Sequence, residues 1–430
     1  MSFNCRISPM FNAAVKTITI LKEAGYTAYL AGGCVRDRLL NIEPKDFDVA
    51  TNATPDQLGE LFHNTQLVGE AFGVTLVRLM NTQVEVATFR MEWGYTDGRH
   101  PDGVCFTDAQ NDAQRRDFTI NGLFEDPLNH QIIDYIGGQE DLKKKTIRAI
   151  GDPDKRFSED YLRLLRAVRF ASRLDFEIET KTARAIRNHA RYLGQISRKR
   201  IGLEIEMMFG NQALPQRRER AARLIQQLHL DGTVLNEDHH NADLTLLSAL
   251  PAQVQPSTAL AAWMLDRHAC SGVELLPFLS QRFERTVTQW RNALAMSNEL
   301  RDALADTLLV TGKITDWPNL NIAQKKRLLA KPYWTQGHLL FGAMKEVDDV
   351  VAILAQIGFE APALWEQGVN PQPWITGSDL IDLGLKPCPK FGDWLDAAYD
   401  AQLDGTACDR QQALSWLKKQ ILSNPSGFDG

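Results

Sequence analysis

The sequence predicts an α/β domain at the N-terminus, followed by a region that is all α-helical. Two observations support this fold class. Over about the first 140 of the 430 residues, short apolar runs alternate with helical patterns, which is typical of a mixed α/β domain. From about Phe157 onward, apolar residues such as Tyr161, Leu165 and Val168 recur with the period of an α-helix. Strand patterns largely disappear after that point.

The predicted elements follow one another closely in the first domain. A strand at Tyr29–Ala31 leads into a helix at Cys34–Leu40, and a second strand covers Phe47–Ala50. Then come a helix, two strands and a last strand, at Pro55–His63, Val74–Met80, Val84–Phe89 and Ile132–Tyr135. In the helical remainder, Pro251–Pro256 and Pro371–Pro373 are predicted breaks between groups of helices.

The composition is that of an ordinary globular protein, with 44% hydrophobic and 24% charged residues. No apolar run approaches the ~20 residues that a membrane-spanning helix needs, so no membrane association is expected. The six cysteines are scattered without a CxxC pair. This spacing argues against a disulfide framework or a zinc site and indicates a reducing, cytoplasmic setting.

The net charge of −6 counts against nucleic-acid binding, for which a basic excess is typical. The basic residues are nevertheless clustered, and each cluster is either part of a basic track or a solvated helix face. The clusters are Lys143–Arg148, Arg198–Arg200, Arg217–Arg220 and Lys325–Arg327.

The first candidate site is the glycine pair Gly32-Gly33, between a predicted strand and a predicted helix. Small residues at a helix N-terminus let backbone N–H groups come close to a phosphate. Arg36, in the first turn, would add a guanidinium group for the same anion. Taken alone, a glycine pair between a strand and a helix is usually just a tight turn.

A pair of aspartates strengthens the functional interpretation. If Asp46 and Asp48 lie two positions apart on a strand, both carboxylates point to one face. Two carboxylates held together repel unless a cation lies between them, and hard oxygen ligands at this spacing suit Mg²⁺. The alternative is an exposed strand end with two solvated acids. Glu85, in an otherwise apolar strand, is a possible third carboxylate or an exposed residue of an edge strand.

These motifs, together with three more, resemble class II tRNA nucleotidyltransferases and the related bacterial poly(A) polymerases. The similarity rests on five motifs in a fixed order, Gly32–Asp37, Asp46–Asp48, Arg115–Asn121, Asp134–Leu142 and Glu159–Phe170. Near the end of the chain, Ile375–Leu380 and Leu383–Pro387 are similar to the tail of tRNA-adding members.

The resemblance implies a head of the polymerase-β-like nucleotidyltransferase type at residues 1–142. An all-α neck with a nucleotide-selecting motif would follow at 143–210, then a helical body at 211–330 and a tRNA-binding helical tail at 331–430. Asp134 is either a residue that supports the head site or simply the end of a strand.

The same resemblance implies roles for individual residues. Asp46 and Asp48 would hold the catalytic Mg²⁺ ions. Glu159 would support Asp160 and Arg163, which form an amino-acid template that reads the base of CTP or ATP. The residues expected to contact the nucleotide are Gly32, Gly33, Arg36, Arg116, Asp117, Asn121, Asp160, Arg163 and Arg166.

The residue pattern alone does not decide whether Asp160 and Arg163 read the base of the nucleotide. Asp160 and Arg163 are three positions apart on a predicted helix and share a face, and a carboxylate beside a guanidinium group can match a base edge. The simpler alternative is that Ser158 caps the helix, while Glu159 and Asp160 compensate the helix dipole.

Addition of CCA to the 3′ end of tRNA, from CTP and ATP, is the function favoured by this pattern. The loop Phe89–Pro101 looks like the flexible loop of CCA-adding enzymes, and neither Glu70-Ala71 nor the C-terminus Ser423–Gly430 has the basic residues typical of poly(A) polymerases. Addition of the terminal A only, poly(A) synthesis and a non-catalytic RNA-binding role remain alternatives. No membrane and no stable protein partner are expected, and the sequence does not indicate an oligomeric state.

Overall fold

The computed structural model describes residues 8–68, 73–94, 103–210, 214–269, 273–344 and 349–423. The chain divides into two compact units. The first contains residues 1–208, 216–241 and 292–295, and the second contains 209–215, 242–291 and 296–430. The expected flexible loop, the Glu70-Ala71 position and the C-terminal residues after Ser423 fall wholly or mostly outside the described residues.

A mixed β-sheet forms the centre of the first unit. Its strands are β1 (Ala28–Ala31), β2 (Val49–Thr51), β3 (Thr65–Val68), β4 (Val74–Leu79), β5 (Thr82–Thr88), β8 (Phe124–Asp126) and β9 (Gln131–Ile133). They lie in the order β3-β4-β5-β2-β1-β8-β9, and only β2 and β5 are parallel neighbours. β6 (Arg90–Trp93) and β7 (Gly103–Phe106) pair as a separate antiparallel ribbon.

Helices cover this sheet, and its centre is fully buried. They are α1 (Pro9–Glu23), α2 (Gly33–Leu39), α3 (Pro55–Leu61), α4 (Ala109–Arg115) and α5 (Gly138–Lys143). Leu30, Val49, Val86 and Phe124 are completely excluded from solvent. These positions come from four neighbouring strands. The apolar residues of three of these strands, β1, β2 and β5, were recognisable in the sequence pattern.

The predicted strands and helices of the head are confirmed, with small shifts in their ends. The sequence pattern did not reveal several further elements of the head, namely the helices α1, α4 and α5 and the strands β3, β6, β7 and β8. Ile132–Tyr135 is not the last strand, because the two-residue strands β10 (Thr146–Ile147) and β11 (Glu177–Ile178) pair in parallel after it. Strands this short carry no detectable periodicity.

The first unit continues with α6 (Pro153–Glu159), α7 (Leu162–Leu174), α8 (Thr180–His189) and α9 (Arg198–Phe209), the region that was expected to be the neck. A 3₁₀ segment, Ala190–Gln195, follows α8. α10 (Pro215–Gln227) and α11 (Asp231–Leu235) come next.

The described residues of the second unit are helical and contain no strand. The helices are α12 (Thr245–Ala249), α13 (Pro256–His268), α14 (Leu275–Gln281), α15 (Phe283–Ala293), α16 (Asn298–Ile314), α17 (Ile322–Leu329), α18 (Trp334–Ala343), α19 (Val350–Gln367), α20 (Gly377–Asp382), α21 (Lys390–Leu403) and α22 (Arg410–Ser423). The two predicted breaks at Pro251–Pro256 and Pro371–Pro373 both fall between helices. Trp263 lies at the core, with ring centroids 4.8 Å from Phe209 and 5.2 Å from Trp290. Among the described helices, none has both the length and the apolar character to cross a bilayer.

Candidate active site

A cavity of about 530 Å³ in the first unit is lined by residues of both head and neck. Eight of the lining side chains are cationic and five are acidic. The lining residues are Gly32, Gly33, Arg36, Asp37, Lys45, Asp46, Asp48, Arg115, Arg116, Asp117, Asn121, Asp160, Leu162, Arg163, Arg166, Phe170, Arg173 and Arg200. The cavity is therefore electropositive although the whole chain is acidic, which suits a polyanionic ligand.

The glycine pair Gly32-Gly33 forms part of the cavity wall on the head side. Gly32 precedes the first residue of α2 and has φ +73°, a conformation that glycine adopts without strain. A Cβ atom at Gly32 would lie only 2.8 Å from Nη1 of Arg116. Both backbone conformation and space thus require glycine here, and the pair is more than a simple tight turn because it forms part of the cavity wall.

The two aspartates lie in the cavity but not on a strand, contrary to the sequence prediction. β2 begins at Val49, so Asp46 and Asp48 belong to the segment that leads into it. Burial, and after it the negative charges of Asp46 and Glu85, raise the pKa of Asp48 to about 6, whereas Arg116 opposes them. Glu85 itself is exposed and does not line the cavity, and β5 is an internal strand rather than an edge.

This carboxylate pair fits a divalent metal ion. Asp48 is half-buried and Asp46 is exposed, and the repulsion between the two acids is unfavourable without a cation. Mg²⁺-type ions are bound by one or two carboxylates together with substrate phosphates. Within the described ranges, no set of three or more His, Cys, Asp or Glu side chains is arranged to hold a metal by itself. The remaining ligands would have to come from substrate and water.

Arg36 is buried and held by two partners. Its Nε donates to Asp37 at 2.8 Å and its Nη1 donates to Oδ1 of Asn121 at 2.5 Å. Asp37 also accepts a hydrogen bond from Arg173 of α7 at 2.9 Å. Two residues expected to contact nucleotide, Arg36 and Asn121, are thus brought together, and Asp37 and Arg173 extend the network from head to neck.

A single buried carboxylate orients two cavity arginines. Asp112 of α4 is 1% exposed. Its Oδ1 accepts from Arg115 at 2.8 Å, and its Oδ2 accepts from Arg116 at 2.9 Å. These guanidinium groups hold the pKa of Asp112 below its usual range despite its burial. Arg116, predicted from the sequence, depends on Asp112, which the sequence analysis did not single out.

The buried carboxylate of Asp117 forms an ion pair with Arg166. Arg166 donates to its Oδ2 through Nε at 2.8 Å and through Nη2 at 2.6 Å. Asn121 and the backbone N–H of Phe118 donate to the other oxygen. Burial of Asp117 is outweighed by Arg166 and these hydrogen bonds, and its pKa falls to about 2. Three of the predicted nucleotide contacts therefore bind one another here.

The template residues lie at a break between two helices. α6 ends at Glu159 and α7 begins at Leu162, so Asp160 precedes the helix that carries Arg163. Glu159 accepts hydrogen bonds from Arg163 and, at 3.0 Å, from Arg156. Ser158 is not a helix cap, because it lies inside α6 and donates to the carbonyl of Lys155.

Asp160 has two partners of its own. One oxygen accepts the backbone N–H of Leu162 at 3.0 Å, and the other accepts from Arg200 of α9 at 2.7 Å. The dipole alternative is therefore partly correct, since Asp160 caps the first turn of α7. The template interpretation is also compatible, because Asp160, Arg163 and Arg200 all line the cavity.

Asp134 lies outside the cavity lining. Its carboxylate accepts the backbone N–H groups of Ile136, Gly138 and Gln139 at 2.9–3.1 Å. It therefore closes the turn at the start of α5 and has a structural role.

Sequence analysis missed several residues of the cavity. Lys45 precedes Asp46 and Arg115 precedes Arg116 in the chain, so their positions next to predicted site residues could have identified them. Arg173 continues the row of arginines at helical spacing on α7, and Arg200 belongs to a basic cluster that was noted. Asp112 gave no signal, because its importance comes from two arginines that it contacts.

Comparisons with known proteins agree with this geometry. A family model described as the poly A polymerase head domain matches residues 28–148, and a probable RNA and SrmB-binding site of polymerase A matches 175–216. A CCA-adding enzyme of Lactobacillus delbrueckii is 33% identical over 418 residues, which cover 96% of this chain and 98% of that relative. One from Limosilactobacillus reuteri is 44% identical over 206 residues, about half of each chain.

Solved structures show the same fold. The CCA-adding enzyme of Bacillus stearothermophilus, in complex with CTP, is 26% identical with a TM-score of 0.77 over 97% of this chain and 99% of that one. The Thermotoga maritima CCA-adding enzyme complexed with tRNA has a TM-score of 0.67 over 97% of each chain, at 19% identity, and shares the fold. The head is thus of the polymerase-β-like type and is followed by a mostly helical region. With its cavity, its motifs and a similarity that spans nearly its whole length, the chain belongs to the family of CCA-adding enzymes.

Proposed function

We propose that this chain adds C, C and A to the 3′ end of tRNA, with CTP and ATP as donors and pyrophosphate as the product. The observation that carries the proposal is the similarity to CCA-adding enzymes over almost the full length of both chains. The complexes of such enzymes with CTP and with tRNA support the same substrates here. In this reaction the 3′-hydroxyl of the tRNA attacks the α-phosphate of the nucleotide.

Asp46 and Asp48 would hold Mg²⁺ in this reaction. When bound there, the ion would activate the attacking hydroxyl and stabilise the leaving pyrophosphate. The raised pKa of Asp48, caused by burial and by the neighbouring acids, supports this assignment, because a cation relieves that repulsion. Glu85 is exposed, so we assign it an electrostatic contribution rather than a role as ligand.

The triphosphate would bind where the cationic side chains converge. Gly32 and Gly33 leave room for phosphate oxygens beside the backbone, and Arg116 lies directly behind Gly32. Asp112 fixes the guanidinium group of Arg116. A preorganised donor stabilises phosphoryl charge without having to reorient as the charge develops. Arg36, Asp117 and Asn121 would complete this wall, with Arg166 keeping Asp117 ionised.

The base would be selected by Asp160 and Arg163. A carboxylate acceptor and a guanidinium donor can match the edge of C or A by hydrogen bonds. Glu159 holds Arg163 in place through its side chain. Arg200 holds Asp160 in the same manner at 2.7 Å, so both members of the pair have a fixed partner on the neck.

The regions after the head would bind the tRNA. We assign residues 143–210 to the neck that selects the nucleotide, 211–330 to the body and 331–430 to the tail that holds tRNA. Binding would depend on backbone and shape contacts, as is usual for structured RNA. The proposed site of action is the cytoplasm, where scattered free cysteines stay reduced.

An extension assay tests the proposal. Transcripts of tRNA that end before CCA, after the first C and after CC are incubated with CTP, ATP or both, and an oligo(A) primer serves as control. We expect all three tRNAs to be completed to CCA and then left unextended. Extension of the CC-ended tRNA alone would indicate an A-adding enzyme, and long tails on oligo(A) would indicate a poly(A) polymerase.

Two variants make the assay specific. Asp46→Ala should abolish every extension, because a metal ligand is lost. Glu60→Ala removes an exposed acid at the end of α3, outside the cavity lining, and should extend as the wild type does. An active Asp46→Ala protein would contradict the metal assignment, and absence of extension by the wild type would contradict the proposed function.

A further inference from the structure

Three aromatic rings form a cluster next to the template residues, and two of them are stacked on each other. The ring centroids of Tyr161 and Tyr192 are 5.2 Å apart and the planes are inclined by only 20°. His189 lies 5.9 Å from Tyr161 and 5.8 Å from Tyr192. The guanidinium group of Arg191 lies over the Tyr192 ring at 4.7 Å. We call Tyr161, His189, Tyr192 and Arg191 the aromatic platform.

The platform is held by the ends of three helical segments. Tyr161 occupies the break between α6 and α7, His189 ends α8, and Tyr192 lies in the 3₁₀ segment that follows. Nε2 of His189 is 2.9 Å from a carboxylate oxygen of Asp154 in α6. The three rings thus come from three different segments, and the aromatic platform does not depend on the conformation of a single loop.

These rings are not part of the hydrophobic core. Tyr161 and Tyr192 are partly exposed and Arg191 is exposed, whereas the neighbouring aromatic pair Phe118 and Phe170 is buried. Arg191 donates to the Tyr192 hydroxyl at 2.7 Å, so its guanidinium group stays beside the ring. Aromatic rings and arginine planes at a surface are what proteins use to stack unpaired bases of RNA.

The position of the platform points to one part of the RNA. Tyr161 lies in sequence between Asp160 and Leu162, which both line the cavity, but Tyr161 itself does not. The platform is therefore beside the place where an incoming nucleotide would be read, and outside it. His189, Arg191 and Tyr192 also belong to the segment 175–216 that matches a probable RNA-binding family.

We propose that the aromatic platform stacks the unpaired 3′-terminal base of the tRNA while the next nucleotide occupies the cavity. This inference rests on the proposed function. The terminal base differs from one addition to the next, so the protein must hold it without reading its edge. Stacking satisfies that requirement, because every base has an aromatic face. The edge-reading residues Asp160 and Arg163 would then act only on the incoming nucleotide.

The inference is tested by removing the terminal base of the tRNA and the tyrosine rings of the protein, separately and together, and comparing the affinities. The dissociation constant is measured with the cavity saturated by a CTP analogue that cannot release pyrophosphate, for tRNA ending before CCA and for the same tRNA with an abasic 3′-terminal position. For the wild type we expect the abasic tRNA to bind about ten- to a hundredfold more weakly. In Tyr161→Leu and Tyr192→Leu the two tRNAs should bind almost equally, since the ring that stacks the base is gone.

Matched variants separate stacking from folding. Tyr161→Phe and Tyr192→Phe keep the ring, so they should bind the abasic tRNA more weakly by the same factor as the wild type. We call this loss of affinity the abasic penalty. Tyr26→Leu, which removes a partly exposed tyrosine of the head, should retain it as well. An equal abasic penalty in the wild type and in both leucine variants would overturn the inference.

A second measurement covers the case in which the leucine variants unfold. The fluorescence of 2-aminopurine at the 3′ terminus of the tRNA should decrease on binding to the wild-type protein, because stacking quenches it. Unquenched emission from a saturated complex would also overturn the inference. If the wild-type protein extends tRNA but binds both tRNAs equally and does not quench the fluorescence, only the role of the aromatic platform is disproved. If the wild-type protein extends no tRNA, the proposed function is disproved.

Discussion

At the scale of single residues, the ionisation of the carboxylates in the site depends on the balance between burial and nearby charges. Asp48 and Asp117 show the two opposite cases. Burial and nearby acids raise the pKa of Asp48, whereas Arg166 and hydrogen bonds lower that of Asp117 although it is buried. Arg116 does not offset the burial and the neighbouring acids of Asp48, whereas Arg166 more than offsets the burial of Asp117. That difference separates a position for a metal ligand from a position for a structural ion pair.

Asp48→Asn should abolish nucleotide addition and stabilise the metal-free fold. The pKa of Asp48 is about 6 in the folded chain against a reference of 3.8, so folding binds a proton between these values. The stability of the wild type in EDTA should fall as the pH rises from about 4 through 6 and then level off. At pH 8 the variant should be more stable by on the order of 1–2 kcal/mol.

Urea unfolding in EDTA at pH 4 and pH 8 measures this effect. The variant and the wild type should be nearly equal at pH 4, where the carboxyl group of folded Asp48 is protonated and the neighbouring acids no longer repel it. Glu60→Gln, which changes an exposed acid, should follow the wild type at both values. A destabilised Asp48→Asn at pH 8 would contradict the electrostatic account.

Arg166→Gln should destabilise the head, and more so at neutral than at acid pH. The ion pair lowers the pKa of Asp117 to about 2 from 3.8. Its stabilisation is therefore complete above the unfolded value and is lost as the pH falls through the folded one. Without Arg166 a buried carboxylate is left unpaired at pH 7, at a cost of roughly 3–5 kcal/mol.

The free energy of unfolding at pH 7 and pH 4 tests this prediction. At pH 4 the unpaired Asp117 takes up a proton, so the variant should lose less stability there. Arg166→Lys keeps a charge but not the two-pronged hydrogen bond, and should lie between the two. A loss that is equal at both pH values would mean that packing, and not charge, holds this contact.

At the scale of elements, helix α7 organises the site. It carries four arginines at helical spacing, each paired with a carboxylate from a different element. The pairs are Arg163 with Glu159, Arg166 with Asp117, Arg169 with Glu204 and Arg173 with Asp37. Two of these partners belong to the head and two to the neck. One helix thus fixes both walls of the cavity, since residues three and four positions apart share a face.

Close packing of α9 gives a prediction for a second element. A Cβ atom at Gly202 would lie 1.9 Å from the carbonyl oxygen of Leu294. Gly202→Ala should therefore force α9 away from its neighbour and destabilise the first unit by about 1–3 kcal/mol. Gly358→Ala in α19 meets nothing within 4 Å and should stabilise its helix by up to ~1 kcal/mol.

Thermal unfolding of both variants compares the same substitution in two helices. Gly202→Ala should lower the melting temperature and Gly358→Ala should leave it unchanged or raise it. If Gly202→Ala were neutral, the close approach of α9 to Leu294 would not be a constraint on the fold.

At the scale of the whole molecule, charge is distributed unevenly. The chain carries a net charge of −6, yet eight cationic side chains line the cavity against five acidic ones. Such segregation concentrates positive potential in one cleft and leaves the remaining surface acidic. The sign of the total charge is therefore a poor guide to the partner, because a polyanion interacts with the local field.

The affinity for tRNA should fall steeply with salt. Each phosphate that a basic residue neutralises releases counterions, which gives a slope of roughly −0.7 to −0.9 in log affinity against log salt per contact. Filter binding between low and physiological salt measures the slope. Replacing Lys199, an exposed residue beside Arg200, with Gln should reduce the slope by about one contact if the neck touches the backbone. An affinity that does not change with salt would argue against phosphate contacts.

The sequence by itself determined that an α/β region precedes a mostly helical remainder, and it selected most residues of the site. Those signals are local, because apolar periodicity reports a buried face and a motif keeps its residues within a few positions. Asp46, Asp48, Arg116, Asp117 and Arg163 were all selected in this way, and all of them line the cavity.

Only the tertiary structure decided what these residues contact. In the structure, Asp46 and Asp48 precede the strand in which they were predicted, and a helix ends at Glu159 although the helical pattern continues. Asp160 is bound by Arg200, forty positions away along the chain. Asp112 became important solely through the two arginines that it holds. The physical reason is that ionisation and side-chain orientation depend on groups nearby in space, and the sequence records neighbours only along the chain.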